Sequence, residues 1–371
     1  MKIVHVYKDF DPPIRGGMER HIALMCRFQR QWADVEALVC SRSHRTQAVE
    51  RDGTRVTEVA EWGRFQSAPF SPSFPWHLRR AQADVLVVHV PNPTAELGWL
   101  LARPNGVLVV RYHSDIVRQA AAMRLYRPFQ MHFLRQAAMI VPTSAPYLDT
   151  SETLAPLKDR CRVLPLGILP EMFEHPDENL VSACRQRYGG TFVLFSGMHR
   201  YYKGLPYLIR AAKMVNAPVV IAGDGPERGA CEALARELGV SVAFPGALSD
   251  ADLSAHLNAC TVVAFPSVER SEAFGISIME AHACGKPVVA TRLGTGVEFI
   301  NQDGKTGLNV APRDAGALAE ALNRLLADAP MRESMGHYAR ARIYNEFHAE
   351  KVARQEFELY QEAQACSSNS I

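Results

Sequence analysis

No stretch of this 371-residue sequence approaches the roughly 18 uncharged apolar residues that a membrane-spanning helix needs. The chain passes at once from Met1-Lys2 into the strand-like Ile3-Val-His-Val-Tyr7, so no signal peptide is expected, and the expected location is the cytoplasm, free or peripheral on the inner face of the cell membrane. The eight cysteines form no C-x-x-C pair and mostly lie in apolar stretches, where a thiol behaves as a small hydrophobe. Reduced thiols are expected, and no zinc site. No His/Cys/Asp cluster has metal-ligand spacing, so no metal and no other cofactor is expected. No interleaving of aromatic and basic residues of the nucleic-acid-binding kind stands out, which removes nucleic acid from the expected partners.

What is present is ordinary for a globular chain: 47% apolar and 22% charged residues, in a length that suggests two domains. The net charge of +2 hides an asymmetry, with 22 Lys+Arg against 15 Asp+Glu in residues 1–165 and 19 against 24 in residues 166–371. In the basic half, Arg118, Arg124, Arg127 and Arg135 share one helical region with Met123, Leu125, Tyr126, Phe129 and Phe133. Such a segment suits an anionic membrane surface or a charged acceptor, and equally a solvated arginine face over a core.

Strand-like runs recur at 3–7, 35–40, 85–90, 107–112 and 139–143, separated by helical stretches such as 18–32 and 125–138. A second series occurs at 191–197, 218–223, 240–244, 261–266, 288–291 and 308–310, with amphipathic helices at 205–215, 227–238 and 315–327. Alternation of this kind predicts two doubly wound parallel sheets, an α/β architecture of two Rossmann-like domains facing each other across a cleft. Val163 to Pro176 holds three prolines and a glycine, as a linker would, and places the hinge near Gly167 to Pro170. The expected domains are 1–167 and 168–348. The terminal Cys-Ser-Ser-Asn-Ser-Ile is expected to fray.

The most informative segment is 266–287. Thr261 to Pro266 reads as a buried strand, and Ile276 to Cys284 as a helix closed by Gly285, so Glu272 and Glu280 flank a helix start at a strand's carboxyl end. Ligands of open parallel sheets bind at that edge, where Phe274, Gly275 and Ile276 can offer N–H groups to a phosphate. Glu280 sits among Ile278, Met279, Ala281 and Ala283 and needs a partner unless it points to solvent; Glu272 could merely complement the helix dipole. Spacing alone leaves both readings open.

The run Ser-Glu-x-Phe-Gly-x-x-x-x-Glu-Ala followed by Gly-x-Pro-Val-Val resembles the E-x7-E signature of the large retaining glycosyltransferase family, family four, that includes mannosyl-, glucosyl- and sucrose-forming enzymes. The resemblance implies a GT-B type fold with the last helix, here 349–363 within 349–371, crossing back to the first domain. That first domain (1–167) would bind the acceptor and the second (168–348) the nucleotide sugar. Gly16 and Gly17, otherwise a plain helix-starting turn, would be the family's glycine-rich loop over the donor diphosphate and the acceptor. His113, in Arg-Tyr-His-Ser-Asp-Ile, would line the sugar site as a hydrogen-bond donor. Arg200 and Lys203, in Gly-Met-His-Arg-Tyr-Tyr-Lys-Gly, would neutralise the departing diphosphate. The family usually has Gly-Arg-Leu where this chain has Gly197-Met198-His199, so Arg200 would stand in for the missing arginine. Gly223 and Gly225 resemble a turn near the nucleotide and read equally well as a tight turn; Leu248 would lie beside the base. Leu293-Gly-Thr-Gly-Val297 would complete the site behind Glu272. Glu272 would hold the sugar hydroxyls and Glu280 the ribose.

The expected activity is metal-independent, retaining hexosyl transfer from a nucleoside diphosphate sugar, GDP-mannose-like by analogy with polysaccharide enzymes, to an acceptor hydroxyl of a sugar or lipid-linked oligosaccharide. A nucleotide-sugar epimerase or phosphorylase on the same architecture, or a catalytically silent nucleotide-sugar-binding regulator, are the alternatives.

Overall fold

Val85–Val90 is buried at every position and Val107–Tyr112 at all but its first. Uninterrupted apolar runs of this kind belong at the centre of parallel sheets covered on both faces, and that is where they lie. A computed structural model describes residues 1–14, 16–65, 68–116 and 120–368, the side chains of 120–124 and 368 excepted. Two units are seen, Met1–Gly167 with Ala349–Ile371, and Ile168–His348.

The first unit contains β1 (Lys2–Val6), β2 (Asp34–Cys40), β3 (Gln47–Arg51), β4 (Thr54–Val59), β5 (Gly63–Phe65), β6 (Ala68–Phe70), β7 (Val85–Val90), β8 (Val107–Tyr112) and β9 (Met139–Pro142). Seven of these form one sheet of order β3-β4-β2-β1-β7-β8-β9, parallel except for β3, while β5 and β6 make a separate hairpin. The chain order reverses direction between β1 and β7, a switch point that opens a crevice at the strands' carboxyl ends. The Ala349–Ser368 helix packs against the Gly17–Gln29 helix and β8, with Trp32 and Phe357 rings 5.7 Å apart.

The second unit is a six-stranded parallel sheet of β10 (Val193–Ser196), β11 (Val219–Ala222), β12 (Val242–Gly246), β13 (Val262–Phe265), β14 (Val288–Thr291) and β15 (Gly307–Val310). Its order, β12-β11-β10-β13-β14-β15, is the doubly wound pattern with its switch point between β10 and β13. Phe195, Leu208, Ile209, Val262, Leu322 and Leu325 are buried in its core.

Some details differ from the sequence expectation. Strands β3 to β6 were not foreseen: β3 is mostly exposed and polar, so it carries no hydrophobic period. The last helix runs to Ser368 rather than 363, taking in part of the segment expected to fray; residues 369–371 lie outside the described residues. The helix expected over 205–215 ends at Ala211, with turns covering the remainder. Arg118 and the Arg124 side chain also lie outside the described residues. Among the described residues no helix is long and apolar enough to cross a membrane.

Candidate functional site

At the switch point of the second unit, the loop after β10 supplies Lys203 and the loop after β13 supplies Glu272. Lys203 Nζ lies 2.6 Å from Glu272 Oε2, and both side chains are nearly buried. The same oxygen accepts Ser267 Oγ at 2.9 Å, while Thr295 Oγ1 donates to the Glu272 carbonyl at 2.9 Å. The Leu293–Val297 segment therefore braces Glu272 from behind, because Thr295 also caps the Gly296–Ile300 helix. Burial alone would lower the Lys203 pKa, but Glu272, Tyr202 and Glu280 together hold it above its ordinary value. The result is a fixed cation over the Phe265 ring, 4.9 Å from its centroid.

The sequence reading assigned Lys203 to phosphate and Glu272 to sugar as separate groups. The structure pairs them, and half-buried Glu280 acts on the same lysine. A partner 69 residues away leaves no local sequence signal. Glu280 lies on the Ile276–Ala283 helix, whose N-cap, Gly275, makes no side-chain capping bond. In that first turn the Ile278 N–H donates to the Gly275 carbonyl at 3.0 Å, and buried Phe274 packs against Gly296 just before it.

Arg200 is half-buried and caps the short Tyr201–Lys203 turn. Its guanidinium reaches only Met198 Sδ, 4.0 Å away, and no carboxylate pairs with it among the described residues. Gly223 and Gly225 follow β11, and here the turn reading has a definite cause: a Cβ would stand 1.9 Å from the Gly197 carbonyl oxygen at Gly223 and 2.6 Å from that of His199 at Gly225. Leu248 is half-buried beyond β12, just before the Ser249 cap of the Asp250–Ala259 helix.

In the first unit, Gly17 opens the Gly17–Gln29 helix and Gly16 is its N-cap. Gly16 has an extended backbone, and its lack of Cβ makes room for the Glu19 carboxylate, which would meet that carbon at 2.1 Å. Burial raises the Glu19 pKa, with Asp9 and Asp11 adding to it.

The sequence also holds two Asp-x-Asp triplets, Asp9-Phe10-Asp11 and Asp250-Ala251-Asp252, which the metal-free expectation passed over. Asp9 is clamped by Arg64 at 2.7 Å and Arg42 at 3.3 Å, and Asp11 pairs with Arg20 at 3.6 Å. Asp252 accepts Ser249 Oγ at 2.6 Å in a helix cap.

His113 follows β8 and is 5% exposed. Its Nε2 meets His89 Nδ1 at 2.9 Å, whose Nε2 meets His5 Nδ1 at 3.0 Å. His5 Nε2 then meets Gln29 Oε1 at 2.8 Å, and Gln29 Nε2 donates to Glu356 Oε2 at 3.2 Å. Glu356 forms a wholly buried ion pair with Arg111, Nε to Oε1 3.0 Å, without the alignment of a hydrogen bond. Arg111 also donates to the carbonyls of Leu164 at 2.7 Å and Pro165 at 2.8 Å. Sequence reasoning found His113 but not this chain of partners behind it.

Two family models match the chain: "Glycosyl transferase 4-like domain" over residues 16–167 and "Glycosyl transferases group 1" over residues 185–342. The chain is 35% identical to the O-antigen chain mannosyltransferase C of Escherichia coli, covering 97% of this chain and 98% of that one. It is 36% identical to the D-rhamnosyltransferase WbpZ of Pseudomonas aeruginosa, over 94% of this chain and 93% of that one. Its fold is similar to that of the sucrose-phosphate synthase of Thermosynechococcus elongatus, with a TM-score of 0.83, 22% identity and coverage of 98% and 99% of the two chains. That likeness is of fold, the GT-B type.

Proposed function

We propose that this chain, which belongs to the group 1 glycosyl transferases, transfers a hexose with retention from a nucleoside diphosphate sugar to an acceptor hydroxyl in surface-polysaccharide assembly. The observation that carries this reading is the Lys203–Glu272 pair at the switch point between β10 and β13. A lysine that gives one N–H to Glu272 keeps two for the oxygens of a diphosphate, and burial strengthens its attraction for the charge that grows on the leaving group. Arg200, with no carboxylate of its own among the described residues, adds a second cation, and the uncapped N-terminus of the Ile276–Ala283 helix a third donor set.

In this reading Glu272 binds sugar hydroxyls and Glu280 the ribose. The bond from the sugar's anomeric carbon to the phosphate oxygen breaks, the acceptor oxygen bonds to that carbon on the same face, and its proton passes to the departing phosphate. The positive charge is supplied by Lys203 and Arg200, so the reaction is proposed to need no metal ion. The relatives, one a mannosyltransferase and one a rhamnosyltransferase, support a hexose or deoxyhexose as the transferred sugar; a GDP-linked form of it is proposed as the first donor to try.

The acceptor is proposed to be lipid-linked, met at the inner face of the cell membrane. Trp62, Phe65, Phe70, Trp76, Leu101 and Leu125 are exposed in the first unit, on elements around the Pro93–Ala102 helix, beside exposed Arg79, Arg80 and Arg127. Apolar rings interleaved with arginine are the chemistry of an anionic bilayer surface.

Glu272→Ala is expected to abolish transfer, by about 100-fold or more, while nucleoside diphosphate binding survives; Glu280→Ala is expected to weaken that binding. Thermal shift with GDP-, UDP- and ADP-sugars reads binding, and product formation with and without acceptor reads transfer. Near-full transfer by Glu272→Ala would overturn the assignment, and product from donor alone would point to epimerisation.

A further inference from the structure

Glu356, ion-paired with Arg111, is a carboxylate and can only accept hydrogen bonds. Gln29 must therefore turn its amide nitrogen toward Glu356 and its oxygen toward His5, which fixes a proton on His5 Nε2. A neutral imidazole has one donor and one acceptor nitrogen, so His5 Nδ1 accepts from His89 Nε2, and His89 Nδ1 accepts from His113 Nε2. Burial lowers the pKa of each of the three rings, opposed at His5 by Glu356 and Gln29 and aided at all three by Arg111, which favours the singly protonated rings that this hydrogen-bond polarity uses. The last atom of the chain, His113 Nδ1, is consequently a lone-pair acceptor, not the donor that the sequence suggested. It is buried without a partner among the described residues.

Beside it stands its complement. His21, 1% exposed, lies edge-on to His113 with ring centroids 6.5 Å apart. Its Nδ1 accepts the Gly167 N–H at 3.4 Å, and burial holds its pKa well below the ordinary value, so its proton is on Nε2. That N–H is also buried and unpartnered among the described residues. An orphan donor and an orphan acceptor on adjacent rings each carry a desolvation cost, and one O–H group can satisfy both by accepting from one and donating to the other.

We propose that His21 and His113 form a subsite for a single ligand hydroxyl, and that Gln29, His5, His89 and Glu356 are positioning residues that fix its polarity. The proposal rests on the sugar-transfer reading for the identity of the hydroxyl, a sugar's, but not for the polarity. A phosphate or carboxylate oxygen is excluded, because it would place acceptor against acceptor at His113.

The test begins with the full-length chain carrying 15N-histidine and no substrate. Long-range N–H correlation is expected to show His113 and His21 each protonated on Nε2 alone, with assignments from the loss of signals in His113→Asn and His21→Asn. A proton on His113 Nδ1 overturns the proposal whether or not the chain transfers any sugar, so its failure is separable from failure of the reaction assignment. Gln29→Leu is expected to give mixed tautomers at His113 and to lower kcat about ten-fold with nucleotide binding unchanged. A single tautomer with full kcat in that variant overturns the positioning role, and the wild-type spectrum decides the polarity even if the variant fails to fold. Donor sugars and acceptors in which one hydroxyl at a time is replaced by fluorine, which accepts but cannot donate, then identify the source. One donor or one acceptor position should lose kcat/KM in wild type and lose less in Gln29→Leu; equal losses in both proteins would overturn the subsite.

Discussion

Lys203 reaches Glu272 because the chain turns sharply at Gly204, whose backbone is left-handed (φ +66°) and whose missing Cβ leaves room for the Pro266 carbonyl oxygen 1.9 Å from where that carbon would be. Gly204→Ala therefore meets backbone strain and a clash with main chain, which cannot swing aside as a side chain would. A loss of at least about 2 kcal/mol is expected, with transfer falling as the lysine shifts. Urea unfolding and steady-state kinetics measure the two effects. At this scale the sequence was half legible. Lys203-Gly204 and Glu272 stood out through their motif and their place beside strand ends, but their mutual contact did not, since an ion pair spanning 69 residues depends on which strands become neighbours. Likewise, His113 was visible and its donor-or-acceptor character was not, because that is set four partners away.

That distance is crossed by elements. Strands β1, β7 and β8 are adjacent and parallel, with His5 opposite Val87 and His89 opposite Arg111. Each histidine therefore sits two residues further toward the carboxyl edge than its neighbour on the preceding strand, and all three share one face. Helices Gly17–Gln29 and Ala349–Ser368 cover this polar diagonal and close it with Gln29 and Glu356. Arg111 and Glu356, both fully buried, should obey the asymmetry of buried ion pairs: Arg111→Met or Glu356→Met alone should cost about 3–5 kcal/mol, and the double variant less than the worse single one. Chemical denaturation of the four proteins measures this cycle. Acid should weaken the same layer. His5, His21, His89 and His113 have folded pKa values below 6.5, so the unfolded chain binds protons that the folded one refuses, and stability present above that value is lost as pH falls through and below it. The loss is at most about 1.4 kcal/mol per histidine per pH unit, partly offset by Glu19 and Glu96, whose burial raises their pKa and acts in the opposite sense. Urea midpoints at pH 7.5 and 5.5 should show the decline, and His89→Asn should flatten it. The parallel strands were legible as continuous apolar runs; the short β5–β6 hairpin, with Trp62, Phe65 and Phe70 exposed on or beside it, was not, because no core enforces its pattern.

At the scale of the whole chain, the two units differ in charge as well as in sequence position. The first half is basic, and exposed rings lie among its arginines, so vesicles containing anionic phospholipid should bind the protein, and combined reversal of Arg79, Arg80 and Arg127 to glutamate should weaken binding at least ten-fold in a sedimentation assay. Unchanged binding would remove the membrane from the proposed function. The division near residue 167 was legible because prolines and a glycine interrupt the alternation of strands and helices there. The return of the last helix to the first unit was implied by family resemblance, since an amphipathic helix does not state which sheet it will cover. That return has a consequence for biosynthesis. Residues 168–348 are all synthesised before Glu356, so the unit begun second has its whole sequence first. Until the final helix emerges, Arg111 and Gln29 lack the carboxylate they are built around, and the oldest part of the nascent chain is the last to mature.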